Sequence, residues 1–473
     1  MSINFRSETE ESAMKRILSL FLLCCCLLGL CACGEQPAPA ADRSGALAAP
    51  VYPSMAPRPN PDDYLKDNGW EMEEGYYTAM SAWRSDLQAM RRQPAGYAEG
   101  LESYLAGSIR QFLSGAEGEN RVFSPLNLYM ALAMLAEVTD GQSRQQILDL
   151  LGAASLDALR QQAGAIWRAS FQNDGVTASV LASSLWLRQD MDYVPETLEN
   201  LASYYYAYAF RGEMGSAEYD ALLQGWLNEQ TGGLLQEQAA GLHMDPLTVL
   251  ALVTSIYFKA PWTSEFQAYF TEDGSFFSPD GEETVSFLHG SREIPWYWGA
   301  QFSAVGLGME NGGDLWFLLP EEGLTPEALL QDAELMDFLL LRNKSGWAQQ
   351  KTPLVHLTIP KLDVCSDLEL SAGLQALGLT EVFDAERSDF TPLTREAEEL
   401  LVSQVQHAAR VKIDEEGCEA AAYTEILVAT ESAELEEPEP EEVYFVLDRP
   451  FLFVLTNADG LPLFVGLVNH PAE

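Results

Sequence analysis

The stretch EEGCEAAAYTEILVATESAELEEPEPEE runs from Glu415 to Glu442. Strand-like segments flank it: VSQVQHAARVKID before it, VYFVL and PFLFVLT after it, rich in β-branched and aromatic residues. Its first third is small residues, and its last third is almost all glutamate and proline. Charge and proline block edge pairing, so this is a soft, then acidic, exposed run between two strands of the body.

The whole chain supports a body of that kind. Its 473 residues suffice for one large domain or two ordinary ones, and 47% of them are hydrophobic, which is ample for a core. With 71 acidic against 27 basic residues, the formal charge is −44. That balance argues against nucleic acid and against sulfated polysaccharides such as glycosaminoglycans, because both need a basic face that displaces counterions. It fits solubility outside a cell.

Residues 17–32, ILSLFLLCCCLLGLCA, form one apolar run behind Lys15 and Arg16, which is the pattern of a secretion signal. The run ends in LCAC and resembles a bacterial lipobox, which makes Cys33 the expected lipid-bearing first residue of the mature chain. The other reading is a plain membrane anchor, for which the run is short. Met14 is a better start for such a signal than Met1, since residues 1–13 are polar. Removing residues 1–32 leaves Cys33, Cys365 and Cys418. Neither these nor the scattered His243, His289, His356, His407 and His470 form a metal-ligand spacing, and no cofactor motif is present. Residues 33–63, rich in Pro and Ala, read as an extended tether that holds the domain off a membrane. Residues 64–94 read as a short helical extension, with Tyr76, Tyr77, Met80, Trp83, Leu87 and Met90 at helical spacing.

From residue 95 to 473 helix and strand signals alternate without repeats. Ser124 caps a helix with Pro125 in its first turn. DGQSRQQILDLLG is a capped helix closing on Gly152. VPETLENLASYYYAYAF reads as a helix, and TASVLASSLWL, LWFLLP, LVHLTIPKL and EELLVSQVQHAARVKIDEEG as strands. LTVLALVTSIYFKAPW is nearly all apolar, so a central strand covered on both faces is expected. The chain ends in a hairpin turning at Asn457–Gly460. Helices concentrate early and strands late, which indicates an α+β fold. There is no G-x-S-x-G elbow, no HExxH and no Walker loop, so no enzyme reading survives.

Ordered motifs across this domain resemble the serpins, the serine protease inhibitor superfamily. VFSPLNLYMALAML, WLNEQTGG, VTSIYFKAPW, LGLTEVFDAERSDFTPLT, VSQVQHAARVKIDEEGCEAAAYT, RPFLFVL and FVGLVNHP carry the likeness. The resemblance implies helices packed around a large central β-sheet, with further sheets. It also implies an exposed reactive-centre loop over about 415–442 that a protease cleaves as bait, and a monomer that forms a covalent 1:1 complex with its target protease. After cleavage the loop would enter the sheet as a strand, and alternate residues of such a strand point inward. Cys418, Ala420, Ala422 and Thr424 are those positions, and all are small; Glu419, Ala421 and Tyr423 stay outside. Glu415, Glu416 and Gly417 complete the hinge, with Gly417 expected to let the chain bend.

Other positions follow from the same likeness. Ser124, Asn127, Thr254 and His407 match a hydrogen-bonded region beneath the opening sheet. Asn127 and Thr254 exchange the family's usual hydroxyl and amide, which keeps polar groups available. Trp262, Lys361 and Glu415 match the top of the sheet, where insertion starts. Cys418 replaces the usual Thr or Ser and brings an oxidisable thiol. Counting from the hinge places the scissile bond at Glu431–Ser432, with Thr430–Glu431 as runner-up. Counting back from Pro450 places it about eight residues later, because AELEEPEPEE is an insertion. The acidic run either keeps a long loop soluble or steers a protease with a basic face. Two readings of function stand: an inhibitor of serine, and also cysteine, endopeptidases, or a non-inhibitory serpin-fold surface lipoprotein that binds or serves a structural role.

Overall fold

Along the chain, apolar spacing near 3.6 residues gives way to period two, and the elements follow that change. The structure is a computed structural model that describes residues 45–66, 71–246, 248–310, 312–396, 400–402, 405–418 and 441–471. Its first half carries helices α1 (Glu74–Arg91), α2 (Glu102–Leu113), α3 (Pro125–Val138), α4 (Gly141–Leu151), α5 (Leu156–Ser170), α6 (Pro195–Tyr204) and α7 (Ala217–Gln230). Helix α3 starts as its cap residue dictates: the Ser124 hydroxyl accepts from the Asn127 N–H at 3.3 Å. This helix is apolar all round and almost wholly buried, so it forms the spine of the core. Its one buried acid, Glu137, accepts from Arg160 of α5, Asn200 of α6 and Tyr205, which satisfies a carboxylate that would otherwise be costly to bury.

The central sheet is built from β1 (Ala46–Ala48), β2 (Gln172–Asn173), β3 (Ala178–Arg188), β4 (Ala207–Gly212), β5 (Leu250–Pro261), β6 (Leu362–Glu369), β7 (Gln406–Ile413) and β8 (Gly417–Cys418). Its order is β1-β4-β3-β5-β8-β7-β6, with β2 paired to β3. Helix α7 rests on it: Trp226 meets Trp186 edge-on, and the Tyr219 hydroxyl bonds the backbone of Leu187. A second, seven-stranded sheet includes Arg121–Phe123, Phe302–Gly308, Asp314–Pro320 and the C-terminal hairpin Phe451–Thr456 and Pro462–Val468. That hairpin turns where the sequence indicates, on the Asn457 side chain and on Gly460 in the left-handed region. A third sheet runs Glu442–Val446, Leu354–Pro360, Gly281–Glu293, Glu272–Ser278.

Several expectations are corrected. Residues 45–63 are not a free tether: Ala46 and Ala48 pair with β4, and Tyr52 packs on Trp167, Phe171, Tyr206 and Tyr208. Backbone pairing and one aromatic anchor suffice there, and neither leaves a strong composition signal. The segment 194–210 is not one helix. Tyr206 takes φ 53°, ends the helical run while stacking on Trp167, and sends the chain into strand β4. Of the strand read over residues 398–417, the described residues form β7 and, after a turn, the start of β8. Asp140 gives α4 no side-chain cap; it pairs with Arg144 instead. Strand β5 is central but only half-buried along Leu250–Thr254, whereas β3 is buried almost throughout. The reason lies on its far side: among the described residues no ladder joins β5 to β7 directly, and only β8 bridges them.

Candidate functional site: the hinge and the gap in the central sheet

The bridging strand is made by a tight turn. Asp414 Oδ1 accepts from the N–H groups of Glu416 and Gly417, and the Asp414 N–H donates to the Gly417 carbonyl at 3.0 Å. The chain therefore doubles back from β7 and lays Gly417 opposite Pro261 and Cys418 opposite Ala260. Cys418 also pairs with Ile413 and is 3% exposed, so the first alternate small residue already faces inward. Gly417 is needed here for closeness of approach rather than for bending. A Cβ on it would collide with the Ala260 carbonyl oxygen and with Pro261 Cα, while its φ lies outside the left-handed region.

Four residues around this turn lock it. Lys361, at the junction where the third-sheet strand Leu354–Pro360 ends and β6 begins, donates to Glu415 Oε2 at 2.8 Å. Thr271 donates to Glu415 Oε1 at 2.8 Å. Burial opposes ionisation of Glu415, but these two bonds outweigh it and hold the carboxyl below its usual pKa. Trp262 uses its backbone N–H on the Glu416 carbonyl and its indole N–H on the Asp414 carbonyl, both at 2.9 Å. Phe266 donates to the Glu415 carbonyl and packs edge-on to Trp262. Thr271 and Phe266 join this cluster unannounced by the sequence, since each acts through contacts distant in the chain, whereas Asp414 acts locally on the two residues that follow Glu415.

A second cluster lies six residues down the same gap, roughly 20 Å away at strand rise. His407 of β7 accepts the Ser124 N–H on Nε2 at 3.0 Å, which assigns its ring proton to Nδ1. Burial pushes its pKa down to about 4, so the ring is neutral at pH 7. From the other side, Asn127 Nδ2 donates to the Thr254 carbonyl at 3.4 Å. The exchange of residue types is thus met through Thr254's backbone, and Asn127 Oδ1 is left without a protein partner. Ser124, Asn127, Thr254 and His407 are together; Trp262, Lys361, Glu415, Glu416, Gly417 and Cys418 are together. Cys33 and residues 419–440, with Glu419 to Thr424 and the Thr430–Ser432 bond region, lie outside the described residues.

Two outcomes are expected. Gly417→Ala should drive β8 out from between β5 and β7, and hydrogen exchange should accelerate at Cys418 and at the Trp262 backbone amide; unchanged protection would refute the close-approach role. His407 should make the fold acid-sensitive. With a folded pKa near 4 against 6.5 when free, its contribution is complete above pH 6.5 and is lost as pH falls toward 4. The full loss is about 3 kcal/mol. Denaturant unfolding of wild type and His407→Gln between pH 7 and 4 reads it, and parallel curves would exclude it.

Comparison with known proteins agrees with this architecture. Residues 105–471 match the family described as Serpin (serine protease inhibitor). Serpin-ZXA of Oryza sativa subsp. japonica is 29% identical over 408 residues, covering 82% of this chain and 98% of its own. Among solved structures, the thermophilic serpin Tengpin in its native state aligns with TM-score 0.69 at 21% identity, covering 80% of this chain and 95% of that one. Human thyroxine-binding globulin aligns with TM-score 0.67 at 22% identity, covering 82% and 100%. The chain belongs to the serpin family, a family of serine protease inhibitors and not of enzymes, some of whose members are non-inhibitory.

Proposed function

We propose that this serpin is inhibitory and traps serine endopeptidases, and cysteine endopeptidases as well, by inserting its cleaved loop into the central sheet. The observation that carries the reading is β8: the hinge already sits between β5 and β7 with Cys418 buried, at the mouth of a gap that no described ladder closes. In the reaction, a protease serine oxygen attacks the carbonyl carbon of Glu431. The Glu431–Ser432 bond breaks, Ser432 leaves as an amine carrying the proton, and Glu431 remains as an acyl ester on the protease. Residues 419–431 then extend β8 down the gap before water can hydrolyse the ester. Ala420, Ala422 and Thr424 follow Cys418 on the inward face, where only small side chains enter without overpacking. The acidic run ahead of Glu441 stays on the returning side and keeps the long loop unpaired, and Glu442 begins the third-sheet strand beside Leu354. A lipid on Cys33 would hold this monomeric trap at the outer face of a bacterial membrane.

Incubation with a panel of serine proteases should give a 1:1 complex that survives SDS. Mass spectrometry of the C-terminal fragment should then show a start at Ser432. A fragment starting at or after Glu439 would reject the hinge count. Ala420→Arg should be cut as a substrate without complex, because an unpaired arginine would have to be buried. Complex formation by this variant at wild-type stoichiometry, or none by the wild type with any protease, contradicts the mechanism. For the anchor, Cys33→Ser should move the protein from the membrane fraction to the medium, and an unmodified Cys33 in the mature protein's mass would rule it out.

A further inference from the structure

The register on either side of β8 fixes which residues stand next along the gap. Strand β8 runs antiparallel to both of its neighbours, with Cys418 opposite Ala260 of β5 and Ile413 of β7. All three side chains are buried. Residues in one row across a sheet point to the same side, and the next row points to the other. One step further down, the row is Lys259 on β5 and Lys412 on β7, on the outer side of the sheet. Lys259 is half-buried and Lys412 is exposed. The step after that turns inward again, to Phe258 and Val411, both buried. At two strand spacings, the lysine backbones stand about 10 Å apart, with room for one strand between them.

Bases are scarce in this chain, 27 against 71 acids, and the others near the gap are committed. Lys361 is bound to Glu415. Arg410 takes both oxygens of Asp363, the cross-strand neighbour of Lys412. On the other flank, the residue of β3 beside Lys259 is Ala178. Among the described residues no carboxylate pairs with Lys259 or Lys412. Two like charges facing each other across one slot repel, and a single carboxylate between them turns that repulsion into two attractions. The residue that follows Cys418 is Glu419. Continuing both ladders by one residue sets it opposite Lys259 on one side and Lys412 on the other. The same count sets Ala420 between Phe258 and Val411, where a small side chain is needed.

We infer that Lys259 and Lys412 form a seat for the Glu419 carboxylate, which locks the register of the entering strand and strengthens the inserted state. The inference rests on the insertion reading above. A slip of one residue would exchange the two faces of the strand and carry Glu419 into a buried row, where an unpaired carboxylate is costly. The test uses the full chain, nicked in its loop, with thermal midpoints read in urea, which leaves charges unscreened. Wild type, Lys412→Met, Glu419→Gln and the double variant are compared at low and at high salt. Lys412→Met should lower the midpoint by about 2 °C in the wild-type background and leave it unchanged in the Glu419→Gln background. The difference should vanish at high salt. Lys412 is exposed, so its replacement leaves the fold intact, and Lys259→Met repeats the test from β5. Equal losses in both backgrounds, or losses that persist at high salt, overturn the seat alone when nicking has raised the wild-type midpoint. No rise on nicking overturns insertion, and the seat with it.

Discussion

Two backbone residues set the terms for this molecule. Gly417 and Cys418 hold apart β5 and β7, strands that would otherwise satisfy each other, and they do so with only a short ladder on each side. Everything near them is arranged to keep that wedge in place: a turn closed by Asp414, a carboxylate fixed by Lys361 and Thr271, and an indole spanning the turn. The surrounding core is well packed, yet its polar groups are incompletely matched. Asn127 Oδ1, Ser183 Oγ and Ser255 Oγ have no protein partner. Each such group costs roughly 1–3 kcal/mol when buried. Ser183 and Ser255 lie on the neighbouring strands β3 and β5, and Asn127 on α3 beside them.

Charge is used sparingly for structure in so acidic a chain. Several ion pairs join segments distant in the chain: Lys361 with Glu415, Arg58 with Glu310 and Arg160 with Glu137. Such pairs are conditional fastenings. They are strong while both partners stay in register and lose most of their worth once a few ångströms separate them. Packing of apolar side chains, by contrast, tolerates sliding. The molecule therefore combines an apolar spine in α3 with a small number of polar fastenings between its elements.

Much of this was legible in the sequence where the signal is local. Ser124 followed by Pro125 announced α3, Gly152 closed α4 with φ 68°, and Asn457–Gly460 turned the last hairpin. The hinge is placed by the family resemblance, and of its residues Glu415 to Cys418 are described. What escaped was non-local. Residues 45–63 look like a linker by composition, and their docking depends on a free edge at β4 and a ring cluster supplied by α5 and its neighbours. Strand β4 hid behind a helical pattern because one residue, Tyr206, switches the backbone without a glycine or proline to mark it. Half-burial of β5 was equally hidden, since it reflects a missing neighbour rather than the strand's own residues.

The chain beyond the loop enters the body at once. Glu442–Val446 runs parallel to Leu354–Pro360 in the third sheet, and Phe451–Thr456 and Pro462–Val468 lie inside the second sheet, the latter pair buried throughout. A cut in the loop therefore severs the polypeptide without dividing the particle. The C-terminal piece would remain as three strands in two sheets, co-migrating with the rest on a sizing column and parting from it only in denaturant. A nicked molecule would pass as intact in any assay that reads native mass. Denaturing electrophoresis is needed to know how much of a preparation has already been spent.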